Sequence, residues 1–272
     1  MNFDHDHILF IGDTHADLTR FKTLLRDLRL TRSGSILCIQ VGDFGYLGYE
    51  ERLTNDGRAG RLMNALEKYD IDLLFIDGNH EDFVWMRQHY GLDIHAPTFQ
   101  AVGPRLTYAG RGAEAEIRGK SVVFLGGAGS IDRPLRVPMV EWFPEEALDP
   151  ELDLPRLTRE RPPLDLLISH DSPLTEAVKG AHAVFAARAI VDISAEAYTA
   201  NCNERYVSVV EALQPRQIVH GHQHHSYVED WRGIQVFGLI HLQAQRYGQV
   251  TLSWEELMQG AWKNPDQAGE KP

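Results

Sequence analysis

Three short apolar runs, each ending in a glycine beside metal-capable side chains, constrain this chain more than any other feature. Ile8–Ile11 runs into Gly12-Asp13-Thr14-His15. Ser35–Val41 runs into Gly42-Asp43. Leu73–Ile76 runs into Asp77-Gly78-Asn79-His80-Glu81. Each run is too short for a helix and lacks polar alternation, so each reads as a strand buried on both faces, inside a sheet covered by helices. The segments between them carry helical periodicity. Leu18, Phe21, Leu24, Leu25 and Leu28 share one face, and a second helix is predicted from about Arg58 to Tyr69. Strand, helix, strand, helix, strand at this spacing implies right-handed crossovers and a parallel sheet. Gly12 would let the chain turn tightly after the strand. Asp13 and His15, two apart on extended backbone, would then point to the same side, at the carboxyl end where open α/β sheets keep their ligand crevice.

Further along, Leu106–Tyr108, Ala113–Ile117 and Val122–Leu125 read as short strands of a second sheet packed on the first. Gly126-Gly127-Ala128-Gly129 opens a long loop to Leu148 that holds Arg133, Arg136, Trp142 and Phe143. A loop of that length in a compact domain is usually functional or disordered, and its aromatics argue against disorder. Leu164–Ile168 is another strand, followed by Ser169-His170-Asp171. An Ala-rich helical stretch covers 172–200, and a helix near Arg205–Leu213 leads to the strand Gln217–Val219 and to His220-Gly221-His222. A hairpin across Arg232-Gly233 and a strand from Gly248 to Trp254 complete a single domain, 1–258, with a polar tail, 259–272.

Composition narrows the function. The net charge of −12 over 272 residues, with Lys and Arg scattered, speaks against general nucleic-acid binding. Cys38 and Cys202 form no metal or redox pattern. The polar N-terminus and the lack of a long apolar run predict a cytoplasmic protein without a membrane segment.

The strand ends collect Asp13, His15, Asp43, Asn79, His80, His170, His220 and His222. Carboxylates mixed with imidazoles suit Mn, Fe, Zn, Co or Ni rather than Ca or Mg. They are too many for one ion and about right for two. Two ions ~3.5–4 Å apart need a bridging carboxylate, since one imidazole nitrogen cannot face both. Two carboxylates against two divalent ions leave the inner shell at about +2, which suits a phosphate ester. Metal binding lowers the pKa of water from ~15.7 to ~7. At ~1.36 kcal/mol per unit this supplies on the order of 12 kcal/mol toward hydroxide, and no Ser or Cys nucleophile is needed. The leaving alkoxide still needs a proton, and His80 is the candidate donor.

Gly12-Asp13-x-His15, Gly42-Asp43, Gly78-Asn79-His80-Glu81, Ser169-His170 and Gly221-x-His led by His220 together resemble the calcineurin-like metallophosphoesterase superfamily, in its order, from Asp13 to His222. The resemblance implies a four-layer α/β/β/α sandwich of two mixed sheets with a dinuclear site at strand carboxyl ends. It implies that Asp13, His15 and His222 hold one divalent ion, with manganese favoured. Asn79, His170 and His220 would hold the other, Asp43 would bridge, and His80 would be the catalytic proton donor. Members acting on phosphoproteins read Gly-Asp-x-x-Asp-Arg at the second motif, where this chain has Tyr46-Leu47. That absence of an Arg clamp points to a small phosphodiester, such as a cyclic nucleotide, as substrate. A phosphomonoester or phosphoprotein, with an arginine such as Arg133 or Arg136 gripping the phosphate, is the alternative, and nuclease activity is another. A non-catalytic metal-binding scaffold is disfavoured because every expected ligand is present. The remaining histidines, His224 and His241 among them, read as surface or packing positions.

Overall fold

The three apolar runs become parallel neighbours. In the computed structural model, which describes residues 3–48, 57–180, 182, 193–244 and 251–260, β1 (His7–Ile11), β2 (Ile36–Gln40) and β3 (Ile71–Phe75) pair in register, Leu9 opposite Cys38 and Cys38 opposite Leu73. β4 (Phe99–Gly103) and β5 (Leu106–Ala109) extend this sheet beyond β3, and β12 (Thr251–Ser253) closes its other edge against β1. The second sheet contains β6 (Ala113–Ile117), β7 (Lys120–Leu125), β8 (Leu166–Ser169), β9 (Gln217–His220), β10 (Tyr227–Trp231) and β11 (Ile234–Gly238), in the order β10-β11-β9-β8-β7-β6. Both sheets are mixed, with six strands each.

Strand parity sorts the side chains into three cores. Ile8, Phe10, Leu37, Ile39 and Leu74 face inward and meet Val122, Phe124, Leu166, Ile168 and Val219 of the second sheet. Their neighbours Leu9, Ile11, Cys38 and Leu73 face out and pack on helices α1 (Leu18–Thr31) and α2 (Arg58–Tyr69). Val123, Leu125, Leu167 and Ile218 face the opposite way and pack on the long helix Ile193–Leu213. Sheet faces sheet, and each outer face carries helices, which gives the four-layer α/β/β/α sandwich. Strands buried on both faces explain why the runs lack alternation.

The structure revises several expectations. Leu106–Ala109 pairs parallel with β3 and belongs to the first sheet, not the second. Its partner β4 was not expected, because this half-exposed edge strand has neither a clean alternation nor an apolar run. The helix Phe83–Tyr90, capped by Asp82, was also not expected. The last long helix is continuous over Ile193–Leu213, joining the end of the Ala-rich stretch to the helix read near Arg205. Residues 49–55, residues 181 and 183–192 of the Ala-rich stretch, the start of the last strand and the tail from 261 lie outside the described residues. No described helix is long and apolar enough to cross a membrane.

One ion pair ties the strand ends to the long loop. Asp77, at the end of β3, accepts from Arg111 Nε at 3.0 Å and Nη2 at 2.7 Å, and from Tyr108 Oη at 2.7 Å. Arg111 is fully buried and also donates to the carbonyls of Glu145 and Ala147. Removing either partner of such a buried pair typically costs about 3–5 kcal/mol, because a charge is left without compensation. Its role in holding the loop was invisible in sequence, where Arg111 is one scattered arginine among many.

Candidate metal centre

The candidate ligands meet at the carboxyl ends of β1, β2, β3 and β8, where the two sheets come together. Asp13 and Asp43 are the centre, and both are essentially inaccessible to solvent. The bond network sets their positions. Thr14 and His15 donate their backbone N–H groups to the Asp43 carbonyl at 3.1 and 2.9 Å. His222 donates its N–H to both oxygens of Asp13 at 3.1 Å, and His80 donates its N–H to Asp43 Oδ1 at 2.9 Å. Gln40, at the end of β2, braces the first two motifs from below by donating to the carbonyls of Gly12 and Gly42 and accepting from Gly42 N–H.

The glycines are there for space more than for turning. A Cβ on Gly78 would lie 2.2 Å from Asp43 Oδ1, and one on Gly221 would lie 2.1 Å from Asp13 Oδ1. Gly12 keeps an ordinary φ, and its constraint is the Ile240 carbonyl, 2.2 Å from where a Cβ would sit. Nor are Asp13 and His15 joined by extended backbone. His15 is left-handed at φ 42°, as are Asp43 at 52°, His222 at 64° and His224 at 50°. Non-glycine residues in this region cost of order 1–3 kcal/mol each and persist where the surroundings hold them, which is common at functional sites.

Two donor groups result. Asp13, His15, Asp43 and His224 bring one ligand atom each within 4.8 Å of one another, with His224 Nε2 3.0 Å from Asp13 Oδ2 and 3.0 Å from His15 Nε2. On the other side of Asp43, His170 Nε2 lies 3.3 Å from Asp43 Oδ1 and 3.1 Å from Asn79 Oδ1, and the His222 ring stands 5.0 Å from the His170 ring. His170 Nδ1 donates to the Val41 carbonyl at 2.8 Å, which leaves Nε2 to face the centre.

His220 is placed elsewhere. Ile218 and His220 share a strand face, and Ile218 packs outward against the long helix. The His220 ring nitrogens meet the Gly221 carbonyl at 2.7 Å and Tyr227 Oη at 2.6 Å. Burial pushes its pKa down to about 4, so the ring is neutral, and neither nitrogen is left for an ion. The position read as packing, His224, sits at Asp13 instead. Its signal was present in sequence. Gly221-His222-Gln223-His224 repeats the Gly-x-x-His spacing of Gly12-Asp13-Thr14-His15, and the competing His220-Gly221-His222 obscured it. His241, also read as packing, has its ring 4.5 Å from that of His224.

Electrostatics fit a cation. Burial opposes charge on Asp13 and Asp43, yet the surrounding imidazoles hold both carboxyls below their ordinary range, Asp43 well below. Burial would lower His170, but Asp43 outweighs it and raises this imidazole to about 10. Among the described residues neither carboxylate pairs with Lys or Arg. Two buried anions met by backbone N–H groups and imidazoles, with an amide oxygen close by, make a donor set for divalent transition metals.

His80 stands at the rim, its Nε2 3.9 Å from Asp43 Oδ2 and its ring 5.2 Å from that of His15. Arg136 reaches it from the long loop, with Nη2 2.9 Å from His80 Nδ1 and bonds of 2.9 and 2.8 Å to Asp132. Burial, with Arg136 adding to it, lowers the His80 pKa against the pull of Asp43. Arg133 does not reach the centre. Its guanidinium lies 4.6 Å from the Trp142 ring and 4.5 Å from that of Tyr198, pinning the loop to the long helix. Glu81 is a brace, accepting from Phe44 and Gly45 N–H at 2.6 and 3.1 Å, and burial pushes its carboxyl up to about 8.

By sequence, no curated protein matches the chain. By shape, one solved structure aligns over 93% of this chain and 96% of its own at 13% identity, with a TM-score of 0.53. A dimetal phosphatase from Danio rerio aligns over 87% of each chain at 16% identity and a TM-score of 0.49. The phosphopantetheinyl hydrolase of Mycobacterium tuberculosis aligns over 91% of this chain and 95% of its own at 11% identity and a TM-score of 0.49. A family model described as calcineurin-like phosphoesterase matches residues 7–226. That match takes in both donor groups and most of the fold, so the chain belongs to the calcineurin-like phosphoesterases, hydrolases that act on phosphoric esters.

Proposed function

We propose that this protein hydrolyses small phosphoesters using two divalent transition-metal ions, manganese first among them. Asp13, His15, Asp43 and His224 would hold one ion, and Asp43, Asn79, His170 and His222 the other, with Asp43 common to both. The observation that carries this reading is the placement of Asp43 between two donor groups, His15 on one side and His170 on the other. When bound, the ions would supply Lewis acidity, activating water near neutral pH and balancing charge on the phosphoryl oxygens.

The chain's own residues do the rest. Asp43 and Asp13 fix the charge of the centre. His170, held by the Val41 carbonyl, and Asn79 keep their ligand atoms turned toward it. His80 is the proton donor to the leaving group. It stands at the rim, with its Nε2 3.9 Å from Asp43 Oδ2 and the side chain 39% exposed. Arg136 donates to His80 in the resting arrangement, and an incoming phosphoryl oxygen, a stronger acceptor than an imidazole, would take over that donor.

A small phosphodiester, such as a cyclic nucleotide, remains the favoured substrate. Tyr46 and Leu47, at the positions of the Asp-Arg pair of the phosphoprotein enzymes, are buried in the core between the first sheet and helices α1 and α2. The net charge of −12 opposes long polyanions. One observation favours a second reading, a phosphomonoester: Arg136 stands beside His80 and could grip a dianionic phosphate from the loop. The deciding experiment reconstitutes the protein with Mn²⁺ and compares kcat/KM for a cyclic nucleotide, a phosphomonoester, a phosphopeptide and a single-stranded oligonucleotide. Preference for the diester is expected. Preference for the monoester moves the assignment to the Arg136 reading, and failure to hydrolyse any of them overturns the functional proposal.

A further inference from the structure

Glu146 is a fully buried carboxylate that takes no part in either donor group. Its Oε1 accepts Ser130 N–H at 2.8 Å, and its Oε2 accepts the Ser130 hydroxyl at 2.6 Å. Burial raises the Glu146 carboxyl against the two Ser130 donors; in its ionised form it only accepts, and the Ser130 proton is then committed to Glu146. Ser130 Oγ can then meet its other neighbour, Asn79 Nδ2 at 2.9 Å, only as an acceptor. The two ends of an asparagine amide are nearly the same size and chemically opposite. The oxygen can ligate a cation and the NH₂ group cannot. With the NH₂ end held by Ser130, Oδ1 faces His170 Nε2 and the space beside Asp43. A flipped amide would set two acceptors against each other at Ser130 and aim N–H groups into a cation site.

We propose that Ser130 and Glu146 are positioning residues that fix the polarity of the Asn79 amide, and thereby build the second metal position; the proposal rests on the dinuclear reading above. The surrounding structure holds the pair in place. Arg111 donates to the carbonyls of Glu145 and Ala147, on either side of Glu146. Gly129 is packed so tightly that a Cβ would lie 2.9 Å from Cys202 Cβ on the long helix, which fixes the approach of Ser130. This gives the loop from Gly126 to Leu148 a second task besides presenting Arg136. It orients a ligand, and polar partners behind a ligand commonly change metal affinity by about 10–100-fold when removed.

The test is calorimetric titration of metal-free protein with Mn²⁺, on wild type, Glu146→Gln and Ser130→Ala. In Glu146→Gln the amide oxygen must still accept Ser130 N–H, so its NH₂ donates to Ser130 Oγ. The hydroxyl proton is thereby released toward Asn79, and the amide polarity is no longer enforced. The expected result is two binding steps in wild type and about a 10–100-fold weaker step for one ion only in Glu146→Gln. The other step and the metal-free melting temperature should stay near wild type. Ser130→Ala carries the same expectation for the two binding steps, with a lower metal-free melting temperature because Glu146 Oε2 and Asn79 Nδ2 lose their partner, and serves if Glu146→Gln fails to fold by circular dichroism. Equal weakening of both steps marks a merely structural role and overturns the proposal, as does an unchanged pair of steps in both variants. Wild-type protein that takes up fewer than two ions sinks the dinuclear reading itself, and this inference with it.

Discussion

The two halves of the candidate centre are built differently. On the first side, His15 and His224 have side chains 20% and 43% exposed, and three of the four donors, His15, Asp43 and His224, lie on left-handed backbone. On the second side, His170 is inaccessible and Asn79 nearly so, and each is held by a polar partner behind it, the Val41 carbonyl for one and Ser130 for the other. The first half is shaped by the conformation of its loops; the second, where His222 is also left-handed, adds hydrogen bonds from behind its ligands. Two consequences follow from that difference. Loss of His15 or His224 should act on the metal and leave the fold intact, while loss of His170 or Asn79, whose buried partners would be left unsatisfied, should act on both. The first half, whose His15 and His224 are the more exposed, should exchange its ion faster than the second.

The most severe break of this comparison is at the residue the halves share. Asp43→Asn should abolish uptake of both ions and all turnover, checked by elemental analysis after Mn²⁺ reconstitution. If one ion is retained, Asp43 does not serve both halves. Next in size is His80→Ala, which belongs to neither half. It should keep both ions and lose turnover by about 10²–10⁴-fold with an alkyl leaving group, and much less with nitrophenolate, which needs little protonation. Loss of metal instead would make His80 a ligand.

A sharper pair is His224→Ala against His220→Asn. The first should weaken one ion, with the melting temperature of the metal-free protein nearly unchanged. The second should leave both ions bound and lower the melting temperature, because the Tyr227 and Gly221 contacts are disturbed. The opposite outcome in metal titrations would restore His220 as a ligand. The smallest effect is expected from Arg136→Ala. A bond between charged partners contributes about 1.5–3 kcal/mol, so kcat/KM for a phosphomonoester should fall roughly 10–100-fold. The fall for a diester, which offers less charge to the guanidinium, should be smaller. Equal falls for both would place Arg136 in general packing of the loop.

The core of the fold was legible in sequence because of its uninterrupted apolar runs. Doubly buried parallel strands have no alternation to lose, and Ile8–Ile11, Ser35–Val41 and Leu73–Ile76 announced themselves within a residue or two of β1, β2 and the end of β3. Edge elements were not legible. β4 is half-exposed and short, so its pairing with β5 comes from tertiary contact and from no local pattern.

Local chemistry, which the chain carries within a few consecutive residues, was determined by the sequence alone. It comprises a glycine, then an acid, an amide or a histidine, at the ends of successive strands. Choices between near-equivalent residues were decided only by the tertiary structure. His220 and His224 stand at the same distance from His222, and strand parity turns one toward Tyr227 while a left-handed turn carries the other to Asp13. Arg133 and Arg136 lie three apart on one loop, and packing against Trp142 and Tyr198 takes one while His80 meets the other. The partnership of Ser130 and Glu146 with Asn79 joins residues far apart in the chain, with no periodicity to mark it. A sequence records which groups are present and how a strand or helix orders them, but contacts across the fold depend on the direction of each side chain, which packing alone sets.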